Sequence, residues 1–352
     1  MCQTLGLGGQ TGGVGEQTVR SRLWRDGKLI ETDFAFETIS EHIRDPGTLV
    51  WVDLCEPDHH RLRELARELS LDPLAVEDAT APAERPKVTR YATHQFLTVY
   101  AVTLADAPDV HGGGDPSAAA DRLTKQRVSA FVLPHGVVTV RPAAFDMDAV
   151  VRRWDDNADL IQYGVGALVH GLLDVVVDGH FVAVQGLDDA IEDLEDDLFD
   201  DSLPGGTVQR STYAIRKQLV GLRRVVLPMR EVVNAILRHR SDIGAPTELD
   251  AWYDDLYDHT LRAAEWTESL RDMVSTIFET NLSLQDARLN TVMRKLTSWA
   301  AIIAVPTAVT GFFGQNVPYP GYDTEWGFLL SAAIMLVLGL GLYIGFKRRN
   351  WL

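Results

Sequence analysis

The sequence predicts an α/β cytoplasmic domain at the N-terminal side, then helices and a long helical stalk, and at the end two transmembrane helices. Three observations predict this α+β membrane architecture. Leu296 to Phe313 and Trp326 to Phe346 are runs of 18 and 21 residues without a charged side chain, and each suffices as a helix to cross a hydrocarbon core of about 30 Å. Strand-type and helix-type segments alternate from about residue 20 to residue 145, and strand signals then stop. From Leu249 to Pro306 an apolar seam runs on without a strong breaker.

In chain order, residues 1–19 (MCQTLGLGGQTGGVGE and onward) lack the basic and apolar regions of a signal peptide and read as a flexible tail. Within the α/β domain, 20–145, SRLWRDGKLIET forms strands around an Asp26-Gly27 turn, and LVWVDL (49–54) is a further strand. Pro57-Asp58 starts a helix with Leu62, Leu65, Ala66 and Leu69 on one face, and LDPLAVEDAT is a second, short helix. PAERPKVTRY turns into a strand, QFLTVYAVTL follows, residues 111–120 are a Gly-rich loop, and RVSAFVLP pairs with GVVTVRP as a hairpin. Residues 146–245 are cytoplasmic helices, broken at Pro204-Gly205-Gly206 and again at SDIGAPTE.

The stalk helix, 246–295, carries its seam on Leu249, Trp252, Leu256, Ala263, Trp266, Leu270, Met273, Ile277, Leu284 and Ala287, and runs directly into the first span, 296–313. A loop, 314–325, too short for a domain, leads to the second span, 326–346, and a basic end, 347–352. Arg294, Lys295, Lys347, Arg348 and Arg349 flank the spans, whereas the loop holds only Asp323 and Glu325. Basic flanks stay on the cytoplasmic side, so both termini are expected inside and the loop outside. A buried hairpin of a soluble protein would not need spans of this length with such flanks.

The net charge is −17. The five basic and two acidic residues after position 289 make that segment +3, which leaves −20 for the rest. So acidic a body argues against a nucleic-acid partner and suits a cation-collecting surface. Cys2 and Cys55 give neither a disulfide framework nor zinc spacing. With no phosphate loop, nucleophile motif or Cys/His cluster in view, neither an enzyme nor ATP-driven transport is expected. His60 and Glu64 on one helix face, and the acidic run DDAIEDLEDDLFDD, read more simply as solvated surface than as metal sites.

One phase of the long helix stands out. Stepping by seven from Ser269 meets Thr276, Ser283, Asn290, Thr297, Ala304 and Gly311, all small or polar and none charged. Such a stripe suits the wetted lumen of an oligomer, and it equally suits tight helix packing in a membrane.

At GFFGQN, Gly311 to Asn316, the chain resembles the CorA-type magnesium/cobalt transport family of two-span metal ion transporters. LDPLAVEDAT followed by RPKV, LYDHTLRAAEWTESLRD, LNTVMRKLT and the KRRNWL end extend the likeness over essentially the whole chain. The family ends its first span in Gly-Met-Asn, which here reads Gly314-Gln315-Asn316.

The resemblance implies a homopentameric funnel in the plasma membrane that imports Mg2+, with Co2+ or Ni2+ as further cargo. It partners only itself, the lipid bilayer and divalent cations, and needs no organic cofactor. It also implies that Asn316 forms the outer mouth, and that Asn290, Leu296, Thr297, Ala304, Thr307 and Gly311 line the path, with Leu296 as an apolar constriction. Regulatory Mg2+ is then expected between protomers at Asp78 and Asp255, with Glu77 and Asp174 in support. A zinc transporter on the same scaffold is the alternative, because related zinc transporters vary the middle position of the motif. A membrane-tethered metal sensor without transport is the other.

Overall fold

Alternating side chains build a seven-stranded sheet and cover both its faces. The computed structural model describes residues 19–81, 84–105, 122–200, 206–239, 246–315 and 318–352. The expected tail up to residue 18, the Gly-rich loop and most of the two breaks after residues 200 and 240 lie outside the described residues. Strands β1 (Val19–Arg25) and β2 (Lys28–Thr32) meet at Asp26-Gly27, where both residues have positive φ, 49° and 75°. This is the geometry for which Asp-Gly is favoured in a two-residue hairpin. β3 (Leu49–Cys55), β4 (Lys87–Arg90), β5 (Gln95–Leu104), β6 (Leu123–Leu133) and β7 (Gly136–Arg141) complete the order β2-β1-β3-β7-β6-β5-β4. β3 and β7 pair in parallel; the other neighbours are antiparallel.

The period of two decides which layer each residue joins. Val50, Val52, Leu54, Phe96 and Phe131 pack under α1 (Ile39–Arg44), α2 (His59–Glu68) and α3 (Pro73–Thr80). Leu49, Trp51, Leu97, Val99 and Ala130 pack under α4 (Met147–Asp156), α5 (Val165–Leu198), α6 (Thr207–Arg238) and the first turns of α7 (Asp250–Phe313). The Asp58 carboxylate caps α2 by accepting from Arg61 N at 2.7 Å, and Asp72 caps α3 by accepting from Leu74 N at 2.9 Å. The helices after residue 145 therefore share a core with the sheet, and this compact unit ends at Ile277.

The seam of α7 differs in part from its expected course. Leu249, Leu256, Ala263, Leu270 and Ile277 are buried as expected. The second buried row is Tyr253, Thr260, Thr267 and Val274, whereas Trp252 is exposed and Trp266 and Met273 are half-buried. Polar residues are tolerated there because their groups are satisfied: Tyr253 donates to Gly166 O at 2.8 Å, and Thr260 and Thr267 donate to the carbonyls four residues back. The coverage ends with the unit, leaving Leu284 half-buried and Ala287 exposed.

The second unit, Phe278–Leu352, holds the rest of α7 and α8 (Glu325–Arg348). α7 continues through Pro306, which lacks an N–H and so leaves the Ile302 carbonyl without its usual helical donor. Among the described residues, three helices are long and apolar enough to cross a membrane. In α5 that apolar window is 67% buried by its own chain, whereas in α7 and α8 the corresponding windows are only 6% and 11% buried. Bare apolar helices of this length need lipid or other copies as cover.

Candidate pore and regulatory carboxylates

The pore candidates share one side of α7. Residues seven apart on a helix differ in direction by about 20°, so Asn290, Thr297, Ala304 and Gly311 form a slowly winding line. All four are exposed in the single chain, as is Thr307, and Leu296 is 61% exposed. Ser298 is fully buried and Ile302, Val305 and Val309 are half-buried, on a different side of the same helix.

The hydroxyls on the open side are already oriented. Thr297 Oγ1 donates to Met293 O at 2.8 Å and Thr307 Oγ1 donates to Ile303 O at 3.1 Å. With their protons spent on the backbone, their lone pairs are left as acceptors, which suits the outward-pointing hydrogens of a hydrated cation.

At the end of α7 the helix closes tightly. Gly314 N donates to Thr310 O at 2.8 Å, and a Cβ at Gly314 would lie 2.7 Å from that oxygen, so glycine is required by the approach itself. Gln315 is exposed, and Asn316 lies outside the described residues. Beyond it Tyr319 stands between the Phe313 and Tyr322 rings, at 5.1 and 5.4 Å, and donates to Phe313 O at 2.9 Å. Gly321 and Gly327 touch at the mouth of α8, and Thr324 Oγ1 accepts from Gly327 N at 3.3 Å. Asp323 and Glu325 border a hollow of about 450 Å3 beside them. At the far end of α8, Lys347 Nζ lies 5.7 Å from the Tyr343 ring and Phe346 stacks on Trp351, an aromatic-basic arrangement usual at a membrane boundary.

The four carboxylates expected to regulate fall into two places. On α3, Glu77 is exposed at a hollow of about 560 Å3 and Asp78 is bound by the Lys87 ammonium at 2.8 Å. Across the sheet, Asp174 on α5 pairs with Arg153, which also reaches Asp178 at 2.5 Å. Burial holds the Asp174 carboxyl above its ordinary range against the pull of Arg153 and His170. Asp255 on α7 is exposed, 3.9 Å from His259 Nε2. His170 links these last two: it contacts Trp252 O at 3.1 Å and stands within electrostatic range of both Asp174 and Asp255. Burial pushes the His170 ring towards its neutral form.

Lys87 and His170 are neighbours of these carboxylates that the sequence did not single out. The Glu84/Lys87 spacing was visible in it, but the return of β4 alongside α3, which brings the ammonium to Asp78, is tertiary. Among the described residues no three His, Cys, Asp or Glu side chains converge to hold a metal.

The sequence pattern of the CorA-like Mg2+ transporter proteins matches residues 46–348. The chain belongs to this family. Among its relatives is the cobalt/magnesium transport protein CorA of Thermotoga maritima, 28% identical over 317 residues that make up 88% of this chain and 85% of that protein. The zinc transport protein ZntB of Yersinia enterocolitica is 27% identical over 297 residues, 80% of this chain and 81% of that one. In fold, the chain superposes on the complete CorA magnesium transporter of Methanocaldococcus jannaschii with a TM-score of 0.72 at 20% identity, over 96% of this chain and all of that one.

Proposed function

We propose that this chain forms a homopentameric channel that imports Mg2+ across the plasma membrane, with both termini in the cytoplasm. The observation that carries the reading is the open, uncharged line Asn290, Thr297, Ala304 and Gly311 on a helix that its own chain leaves bare. One hairpin cannot enclose a lumen, so the line requires copies around an axis. Magnesium keeps its water shell and octahedral geometry, and hydroxyl, amide and carbonyl oxygens can bind that shell without stripping it. A carboxylate ring inside the pore would hold the ion too firmly to pass it on. Asn316 receives the hydrated ion at the outer mouth, Leu296 narrows the inner end, and Asp323 and Glu325 raise the local cation concentration outside. Lys347, Arg348 and Arg349 keep the C-terminus inside.

Closure follows from Asp78 and Asp255, with Glu77 and Asp174 beside them. They lie on helices packed against opposite faces of the sheet, so one ion shared by Asp78 and Asp255 joins two copies. Cytoplasmic Mg2+ between them stabilises a symmetric closed arrangement, and its loss lets the repelling carboxylates part.

The 27% identity to a zinc transport protein favours Zn2+ as the second reading, with Gln315 in the varied middle position. Proteoliposomes holding a magnesium-sensitive dye, at negative internal potential and with zinc run in parallel, test both. Magnesium influx alone is the expected result; zinc influx driven by a proton gradient would move the assignment to the second reading. No flux of either ion at low internal magnesium would reduce the hairpin to a tether.

A further inference from the structure

Asp78 is not a free carboxylate. The Lys87 ammonium lies 2.8 Å from Asp78 Oδ2 and 2.8 Å from Glu84 Oε2, and all three side chains are about three-quarters buried, at 24%, 25% and 27% exposure. Burial alone would push the ammonium towards neutrality, but its hydrogen bonds to Asp78 and Glu84 reverse this and hold it charged. Asp255 differs: it is 67% exposed, and the group beside it is the His259 ring, 3.9 Å away.

We propose that Lys87 is a tethered counter-ion of Asp78 that competes with the regulatory divalent cation, and so sets how much cytoplasmic magnesium is needed for closure. The inference rests on the reading of Asp78 as a regulatory carboxylate. The strand β4 holds the Lys87 backbone, paired with Thr98 of β5, so the ammonium is always at hand. A magnesium ion that keeps its waters meets an Asp78 already hydrogen-bonded and neutralised. To engage it, the ion must turn the Lys87 side chain away or share the carboxylate with it. Removing the ammonium leaves Asp78 and Glu84 as two uncompensated carboxylates, a stronger attractor for a divalent cation. Arginine at this position keeps the competing charge.

The test uses the full-length oligomer in lipid nanodiscs. Protection from chymotrypsin, which does not cut at lysine, is titrated with MgCl2, and dye-reported influx is measured in parallel. Lys87→Met is expected to lower the magnesium concentration for half-protection roughly three- to tenfold. Lys87→Arg stays near the parent midpoint, and in an Asp78→Asn background Lys87→Met produces no further shift. A parent that responds to magnesium while Lys87→Met is unshifted, or shifts upward, overturns the competition alone. A parent and a Lys87→Met variant that both show no magnesium-dependent protection overturn the regulatory reading of Asp78, and the competition falls with it.

Discussion

Arg141 closes on Asp53 with Nε and a terminal nitrogen both at 2.9 Å, at a point in the sheet where the two side chains are 3% and 0% exposed. Thr139 adds a 2.8 Å hydrogen bond to the other carboxylate oxygen, and Phe145 O accepts from Arg141 at 3.0 Å. The pair joins neighbouring parallel strands, β3 and β7. Arg141→Met strands a buried carboxylate and is expected to destabilise the protein by about 3–5 kcal/mol. Replacing both residues, as Asp53→Leu with Arg141→Met, should cost less. Guanidinium unfolding followed by tryptophan fluorescence checks the order, since Trp51 donates to Thr139 at 3.2 Å. A double variant less stable than Arg141→Met would contradict it.

His180 makes acid stability predictable. It is buried in α5, its Nε2 lies 2.8 Å from Tyr100 O, and burial brings its pKa down to about 4. Unfolded, the imidazole takes a proton near pH 6.5. The neutral ring is the folded form, so its contribution is complete above about pH 6.5 and is lost as pH falls from there to about 4, some 3 kcal/mol in all. Unfolding midpoints measured at pH 7.5, 5.5 and 4.5 should decline more steeply in the parent than in His180→Gln. Parallel declines would show that His180 does not titrate on unfolding.

The open line on α7 separates lumen from packing. Ala304→Phe places a ring in the proposed lumen and should lower magnesium influx roughly tenfold or more, with oligomer size unchanged. Val337→Phe, on the exposed surface of α8, serves as the control and should change influx less than twofold. Equal influx from both variants would return the line to helix packing.

The placement of Asp78 and Asp255 on opposite layers predicts cross-linking between copies, not within one. In a Cys2→Ser background, with Cys55 buried, Asp78→Cys together with Asp255→Cys should give disulfide-linked ladders on oxidation. Electrophoresis without reductant reads the number of copies directly. A band that migrates as a single internally bridged chain would contradict the placement.

Two substitutions address the roles themselves. Asn316→Ala is expected to abolish selective uptake, and Asp255→Lys to leave uptake less sensitive to internal magnesium; the dye-influx assay reads both. An Asn316→Ala variant conducting like the parent would remove the outer ring. Unchanged inhibition after altering both Asp78 and Asp255 would remove the regulatory site.

Local physics made much of the chain legible in its sequence. β5 occupies the run QFLTVYAVTL from end to end, the Asp26-Gly27 turn joins the first hairpin, and Leu62, Leu65, Ala66 and Leu69 are buried as the spacing requires. These are matters of period, turn chemistry and caps, and they act over a few residues. The small and polar line from Ser269 to Gly311 was equally readable, because a seven-residue step is a property of one helix.

Other features depended on which parts of the chain meet. Nothing in the local pattern distinguishes Tyr253, Thr260 and Thr267 from Trp252, Trp266 and Met273 as the buried row of α7; the fit against α5 and α6 and the satisfaction of three hydroxyls decided it. Asp53 finds Arg141 across 88 positions, and Asp78 finds Lys87 only because β4 returns beside α3. The sequence by itself therefore determined many of the elements, though not α1, together with the two apolar runs and the uncharged line, since hydropathy and periodicity are carried by each segment alone. Only the tertiary structure decided that α5, also long and apolar enough to span, is covered by its own chain while the end of α7 and α8 stay bare. It likewise decided which carboxylates are paired, because burial and ion pairing are relations between segments and no segment encodes its own cover.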